Sequence, residues 1–292
     1  MAIYVSDNTT FKWTHDGKRY LAHIRLDDNP ENPRDGDQLT TMACWHRRYK
    51  LGDDVVGKMD PEDFWQSLVR ETVPTEDILK AAMDGSLTGI RVGKNQENPE
   101  LLDIYETYSL ETVLGKTSPA EELCYEAVSS GVAVESLLDD LTISHCQTLL
   151  RPYMEWLPLY LYDHSGITMS TGSFNDPWDS GQVGFIYTSK EVVLRELCDV
   201  NEENWRETAV KLMKADVEAY DQYLTDDVYG FITYEDVDGE WEEVESVWGF
   251  FGSDILENGM LESIGFGFST AIKSDACKMG EAVARQVTVY EF

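Results

Sequence analysis

A chain of 292 residues, 42% of them hydrophobic, can bury one large core or two smaller ones, and its 8 Trp, 15 Tyr and 10 Phe exclude a disordered chain. The formal charge of −32 repels nucleic acid and anionic lipid alike, so neither direct DNA binding nor a membrane surface is the expected role. Cys44, Cys124, Cys146, Cys198 and Cys277 are dispersed, odd in number and without a C-x-x-C pair, which argues against a disulfide framework or a zinc knuckle.

The start, Met1-Ala2-Ile3-Tyr4-Val5, lacks the basic flank and apolar stretch of a signal peptide, and no run approaches the roughly 18 apolar residues of a bilayer span. The expected compartment is the cytoplasm. Charge is unevenly placed, with 8 bases against 7 acids over residues 1–52, 6 against 20 over 53–150 and 9 against 28 over 151–292.

In chain order, Thr10 to Thr14 and Arg19 to Leu26 flank His15-Asp16-Gly17-Lys18 and predict a hairpin, followed by a loop holding Asn29-Pro30 and Asn32-Pro33. Residues 60–151 read as short helices. Asp60-Pro61-Glu62-Asp63 and Ser118-Pro119-Ala120-Glu121 each place a capping side chain before proline, with acids in the first turn. Gly85, Gly89, Gly93 and Asn98-Pro99 separate these helices, and another is expected from about Glu135 to Leu150.

Leu157 to Tyr162, Ile167 to Thr171 and Val183 to Thr188 read as strands between turn sequences. A helix capped by Asn201 should run to about Leu224 and bury Trp205, Leu212, Val217, Tyr220 and Leu224. Val228 to Tyr234 and Trp241 to Phe251 flank Asp236-Val237-Asp238-Gly239, the strongest hairpin signal in the chain. The tail predicts a helix from Ala276 to Arg285 and a strand from Gln286 to Tyr290. The expected fold is therefore α+β: an N-terminal β-hairpin plus helical region over 1–151, and an antiparallel sheet packed on a long helix over 152–292.

Three constellations bear on chemistry. Asp163, His164, Asp176 and Asp179 gather near strand ends and would suit a metal-dependent hydrolase of a nucleotide signal, but Asp, Ser and Gly are ordinary turn formers. Neither G-x-S-x-G nor H-E-x-x-H is present, and Gly181-Gln182-Val183-Gly184 lacks the spacing of a phosphate loop. No enzyme activity, metal or cofactor is expected. Cys44-Trp45-His46-Arg47-Arg48-Tyr49 is the densest basic cluster, able to meet an anion or to pair with the chain's own acids. His145-Cys146 reads as a helix position. Lastly, Glu235, Asp236, Asp238, Glu240, Glu242, Glu243 and Glu245 surround Trp241 without one Lys or Arg, and they are the expected partner-binding residues.

DNA mimicry is a demanding use of this charge. Duplex DNA carries one charge per about 1.7 Å, so 32 charges span roughly 54 Å of helix with a side surface on the order of 3,500 Å². A globule of this mass exposes roughly 12,600 Å², so mimicry needs the acids gathered on one face. Halophily would deplete Lys, yet Lys (12) exceeds Arg (11). An acidic docking surface for a basic protein demands least.

Several stretches together resemble a family of largely uncharacterised proteins of bacteriophages and other mobile elements: Pro33-Arg34 leading to Thr41-Met42-Ala43-Cys44-Trp45-His46-Arg47-Arg48-Tyr49-Lys50-Leu51-Gly52-Asp53, Pro158-Leu159-Tyr160-Leu161-Tyr162-Asp163-His164-Ser165-Gly166-Ile167-Thr168-Met169-Ser170, and Trp178-Asp179-Ser180-Gly181-Gln182-Val183-Gly184-Phe185-Ile186-Tyr187. The resemblance implies a setting of conflict with host defence, and inhibitors of anti-restriction, anti-CRISPR or anti-Gabija type are the classes it suggests. The expected function is inhibition of a host antiviral defence nuclease complex by protein–protein binding. A metal-dependent hydrolase, or an acidic structural phage protein, is the alternative. Homo-oligomerisation is left open.

Overall fold

The computed structural model describes residues 2–111 and 117–278. Strands β1 (Thr10–His15) and β2 (Lys18–Leu26) form the expected N-terminal hairpin. Its turn residues Asp16 and Gly17 have φ of 48° and 79°, the left-handed pair that a two-residue turn needs to match strand twist. After β3 (Thr41–Cys44) comes α1 (Pro61–Thr72), whose N-cap Asp60 accepts the Glu62 and Asp63 amides. That cap and Pro61 start α1 as the sequence signals, and Phe64, Trp65, Leu68 and Val69 form its buried stripe. Helix α2 (Thr75–Asp84) follows.

The chain then departs from the helical reading. Residues 90–128 form three antiparallel strands, β4 (Ile90–Lys94), β5 (Leu102–Glu111) and β6 (Thr117–Val128), so the helix expected at Ser118-Pro119 is absent. Pro119 sits opposite Ser109 in β6, an edge strand of this sheet, and edge strands are where sheets tolerate proline. The single helix expected from Glu135 to Leu150 is two, α3 (Ser130–Asp139) and α4 (Ile143–Leu150). The break occurs because Thr142 caps a new helix, its hydroxyl accepting the His145 amide while the His145 ring accepts the Thr142 amide.

Strands β7 (Met154–Asp163), β8 (Ile167–Ser170) and β9 (Ser180–Ser189) match the three strands read from sequence. Helix α5 (Lys190–Glu196) leads to α6 (Trp205–Leu224), which begins after a turn held by the Asn201 side chain. Its buried stripe is Trp205, Ala209, Met213, Val217 and Tyr220, with Leu212 and Leu224 only half-buried. The second hairpin joins β10 (Val228–Val237) to β11 (Glu240–Phe251) through Asp238 and Gly239, again with positive φ. Helices α7 (Met260–Ser263) and α8 (Phe268–Lys278) close the described chain. The helix expected over Ala276–Arg285 falls mostly, and the strand Gln286–Tyr290 wholly, outside the described residues.

The molecule is thus α+β, with eleven strands in three antiparallel sheets and eight helices among the described residues. It divides into two units interleaved along the chain. The first draws on Met1–Gln38, Pro158–Gln182 and the described residues from Lys214 onward. It contains the sheet β1-β2-β10-β11, in which the N-terminal hairpin pairs with the late one through β2 and β10. Phe11, Ala22, Ile24, Phe231 and Phe250 from these strands meet Ile255, Ile264 and Phe268 in one core. Phe231, Phe268 and Ile24 are fully buried there, and each such side chain contributes about 1.5–3 kcal/mol.

The second unit comprises Leu39–Leu157 and Val183–Met213. Its core gathers Trp65 and Leu68 of α1, Ile78 of α2, Ile104 of β5, Leu137 of α3 and Leu150 of α4. The Trp65 ring meets Trp156 and Phe185 edge-on at 5.3 and 5.1 Å, an arrangement that adds to simple area burial. Glu155 is buried between Arg151 and Arg206, so its charge is paired on two sides.

Candidate functional site

The acidic hairpin is split by the fold into a neutralised half and an open half. On β10, Glu235 and Asp236 stand beside β2, whose first residues are basic. Lys18 Nζ lies 2.7 Å from Glu235 Oε1, and Arg19 binds the Asp236 carboxylate, whose side chain is only 8% exposed. The Glu235 carboxylate holds the Lys18 ammonium above its ordinary pKa. Asp236 also accepts the Gly239 amide and so fixes the turn.

Across the turn, Glu240, Glu242, Glu243 and Glu245 on β11 are exposed and make no ion pair among the described residues. Strand β11 is an edge of its sheet, so among the described residues no further strand supplies counter-charges. Trp241 is opposite Asp236, half-covered by Lys12 and Arg19, each 5.9 Å from its ring centre. The eight expected residues therefore share one hairpin, yet only four glutamates, Asp238 and part of Trp241 face solvent without a cationic neighbour in ion-pair contact among the described residues.

Two irregularities shape the edge. Thr233 faces Glu245 while Tyr234 faces Glu243, so Val244 is extra; Tyr229 faces Phe250 while Phe231 faces Val247, so Trp248 and Gly249 together oppose Gly230. The second bulge turns the Trp248 indole onto Gly230, where the absence of a Cβ makes room, and Gly249 takes φ of 87°. Trp248 then lines a cleft of about 700 Å³ with Asp27, Asp28, Glu31 and Phe251. Sequence reading missed this cleft. The signal was the lone glycine at 249 inside a strand pattern, which marks a bulge.

The Asp163 turn is occupied with holding itself together. The Asp163 amide donates to the Asp179 carbonyl at 2.8 Å, and Asp176 accepts the Trp178 and Asp179 amides. Those two bonds hold the Asp176 carboxyl below its ordinary range. The His164 ring lies 2.9 Å from the Asp179 carboxylate. Among the described residues no group of three or more His, Cys, Asp or Glu is placed to hold a metal ion.

In the basic stretch, Cys44 is buried, Trp45 donates to the Met59 carbonyl, and the His46 ring stacks on Tyr49. Arg47 and Arg48 are exposed, with Arg48 5.4 Å over the Tyr49 ring. Lys50, next to this stretch, contacts Asp54.

The fold and site define a mixed α+β protein with an acidic edge hairpin. Comparison with family models, curated proteins and solved structures returns no match. No helix of the described residues is long and apolar enough to cross a membrane.

Proposed function

We propose that this chain is an acidic binding protein whose β10–β11 hairpin docks on a basic surface of another protein. Following the resemblance of its sequence to mobile-element proteins, we take that partner to be a host antiviral defence nuclease complex of restriction, CRISPR or Gabija type, inhibited by occlusion of its DNA-binding or assembly surface. The observation that carries the reading is the row of unpaired glutamates Glu240, Glu242, Glu243 and Glu245 beside exposed Trp241, Val244 and Trp248. Aromatic side chains of this kind anchor interfaces, while the acids steer encounter and exclude partners of the wrong charge.

Acids and bulges on an edge strand also guard against edge-to-edge aggregation. Substitution separates the two roles. Glutamines at 240, 242, 243 and 245 should abolish retention of a defence nuclease if the row docks, and should promote self-association with retention intact if it only protects the edge. The first experiment is recovery of the tagged chain with nuclease complexes from a defended host at low and high salt. A nuclease held at low salt and released at high salt supports the proposal; none held at low salt contradicts it.

A further inference from the structure

A second recess lies in the other unit, between the sheet β4-β5-β6 and helices α3 and α4. We infer that it is a binding site for an amphipathic organic cation, a guanidinium or ammonium group on an aliphatic stem. The cavity measures about 400 Å³, at the small end of the roughly 300–1,000 Å³ typical of ligand pockets. Its floor is Ile90, Ile104 and Leu137, of which Ile104 and Leu137 belong to the packed core and cannot swing away. A stem of three or four methylenes fits such a floor as Lys and Arg stems fit apolar surfaces.

The walls supply what a cation seeks. Tyr125 is 42% exposed, and Glu106 and Asp140 are exposed residues without an ion pair among the described residues. Among the described residues no Lys or Arg lines the cavity. The same sheet already satisfies one guanidinium in this manner: Arg91 lies 4.0 Å over the Tyr105 ring and binds Glu121 through Nε at 3.1 Å and Nη2 at 2.5 Å. Tyr125 with Glu106 and Asp140 repeats those groups with no cation among the described lining residues. His145 does not compete, because its Nδ1 accepts the Thr142 amide and its Nε2 donates to the Thr88 carbonyl at 2.7 Å.

The lining includes Cys124, an exposed thiol, and this provides a readout independent of any partner. In a chain carrying Cys198→Ser and Cys277→Ser, Cys124 is the remaining exposed thiol, since Cys44 and Cys146 are buried. Its modification by a neutral maleimide is followed at constant ionic strength with agmatine, with the neutral isostere 4-aminobutylurea acetylated at its amine, or with paired peptides containing arginine or citrulline. Agmatine with a Kd of about 1 mM would slow labelling about tenfold at about 10 mM, and the neutral urea would not.

Protection, taken as the ratio of each protein's own labelling rates with and without ligand, should vanish in the Glu106→Gln/Asp140→Asn variant; Glu106→Gln alone should weaken it, which serves if the double variant folds poorly. Stronger protection by the arginine peptide than by agmatine identifies a partner's side chain as the occupant, and the reverse order identifies a free alkylguanidine. Absence of protection by both cations, or protection unchanged by the substitutions, overturns the site. No hairpin residue lines this cavity, so its failure leaves the docking proposal untouched.

Discussion

The indole of Trp248 rests on the backbone of Gly230, so closely that a Cβ at Gly230 would fall 2.2 Å from the ring. Gly230→Ala must therefore displace the ring or the bulge that presents it. The expected cost is about 1–3 kcal/mol in denaturant unfolding, the usual range for overpacking. In a Trp248→Ala background the same substitution should cost nearly nothing. An equal cost in both backgrounds would show that the glycine serves something other than the indole.

Arg19 should matter more than an exposed arginine ordinarily does. It covers Trp241 and pairs with an Asp236 carboxylate that is almost entirely buried, so Arg19→Ala leaves that charge without its partner. Unfolding free energy is expected to drop by about 1–3 kcal/mol, against about 0.2–1 kcal/mol for an ordinary surface ion pair. Adding Asp236→Asn should recover much of the loss, and thermal unfolding of the three variants measures it. A drop confined to the surface-pair range would count against a buried Asp236 carboxylate that relies on Arg19 for its counter-charge.

Asp221 gives a pH signature of definite sign. Burial, with Asp227 and Glu218 nearby, raises its pKa above the ordinary carboxylate value even though its Oδ1 accepts the Met169 amide at 2.6 Å. The folded chain therefore keeps this proton to higher pH than the unfolded chain does. Its contribution to stability is greatest below the unfolded value of about 3.9 and declines as pH rises through the folded value. Asp221→Asn retains an acceptor for Met169 and removes that slope. Melting curves from about pH 4 to pH 7 should find the variant gaining on the parent as pH rises; a variant losing ground over that interval would reverse the assignment.

The legible parts of the fold were those set by local chemistry. Asp16-Gly17 and Asp238-Gly239 state their turns outright, because few residues accept two successive positive φ angles. Asp60-Pro61 states a helix start in the same way. Ser118-Pro119 carries the same wording with another meaning, since an edge strand tolerates proline and only the pairing of β5 with β6 decides the matter. Long-range pairing also hid the division of the acidic run. Nothing near Glu235 in sequence announces Lys18 and Arg19, which arrive from β2 and neutralise two of its members. The cavity at Tyr125 was equally hidden, being assembled from residues between Thr88 and His145 that no motif links.

The central claim, that open carboxylates on β11 steer this chain onto a basic protein, is tested most directly by association kinetics. The rate with the nuclease complex recovered from the host is compared for the parent and for Glu240→Gln/Glu242→Gln/Glu243→Gln/Glu245→Gln between about 50 mM and about 500 mM salt. The parent rate should fall steeply with salt, and the variant should associate about tenfold more slowly at low salt with a much flatter dependence. Equal rates with equal salt slopes would mean that the glutamates do not guide binding.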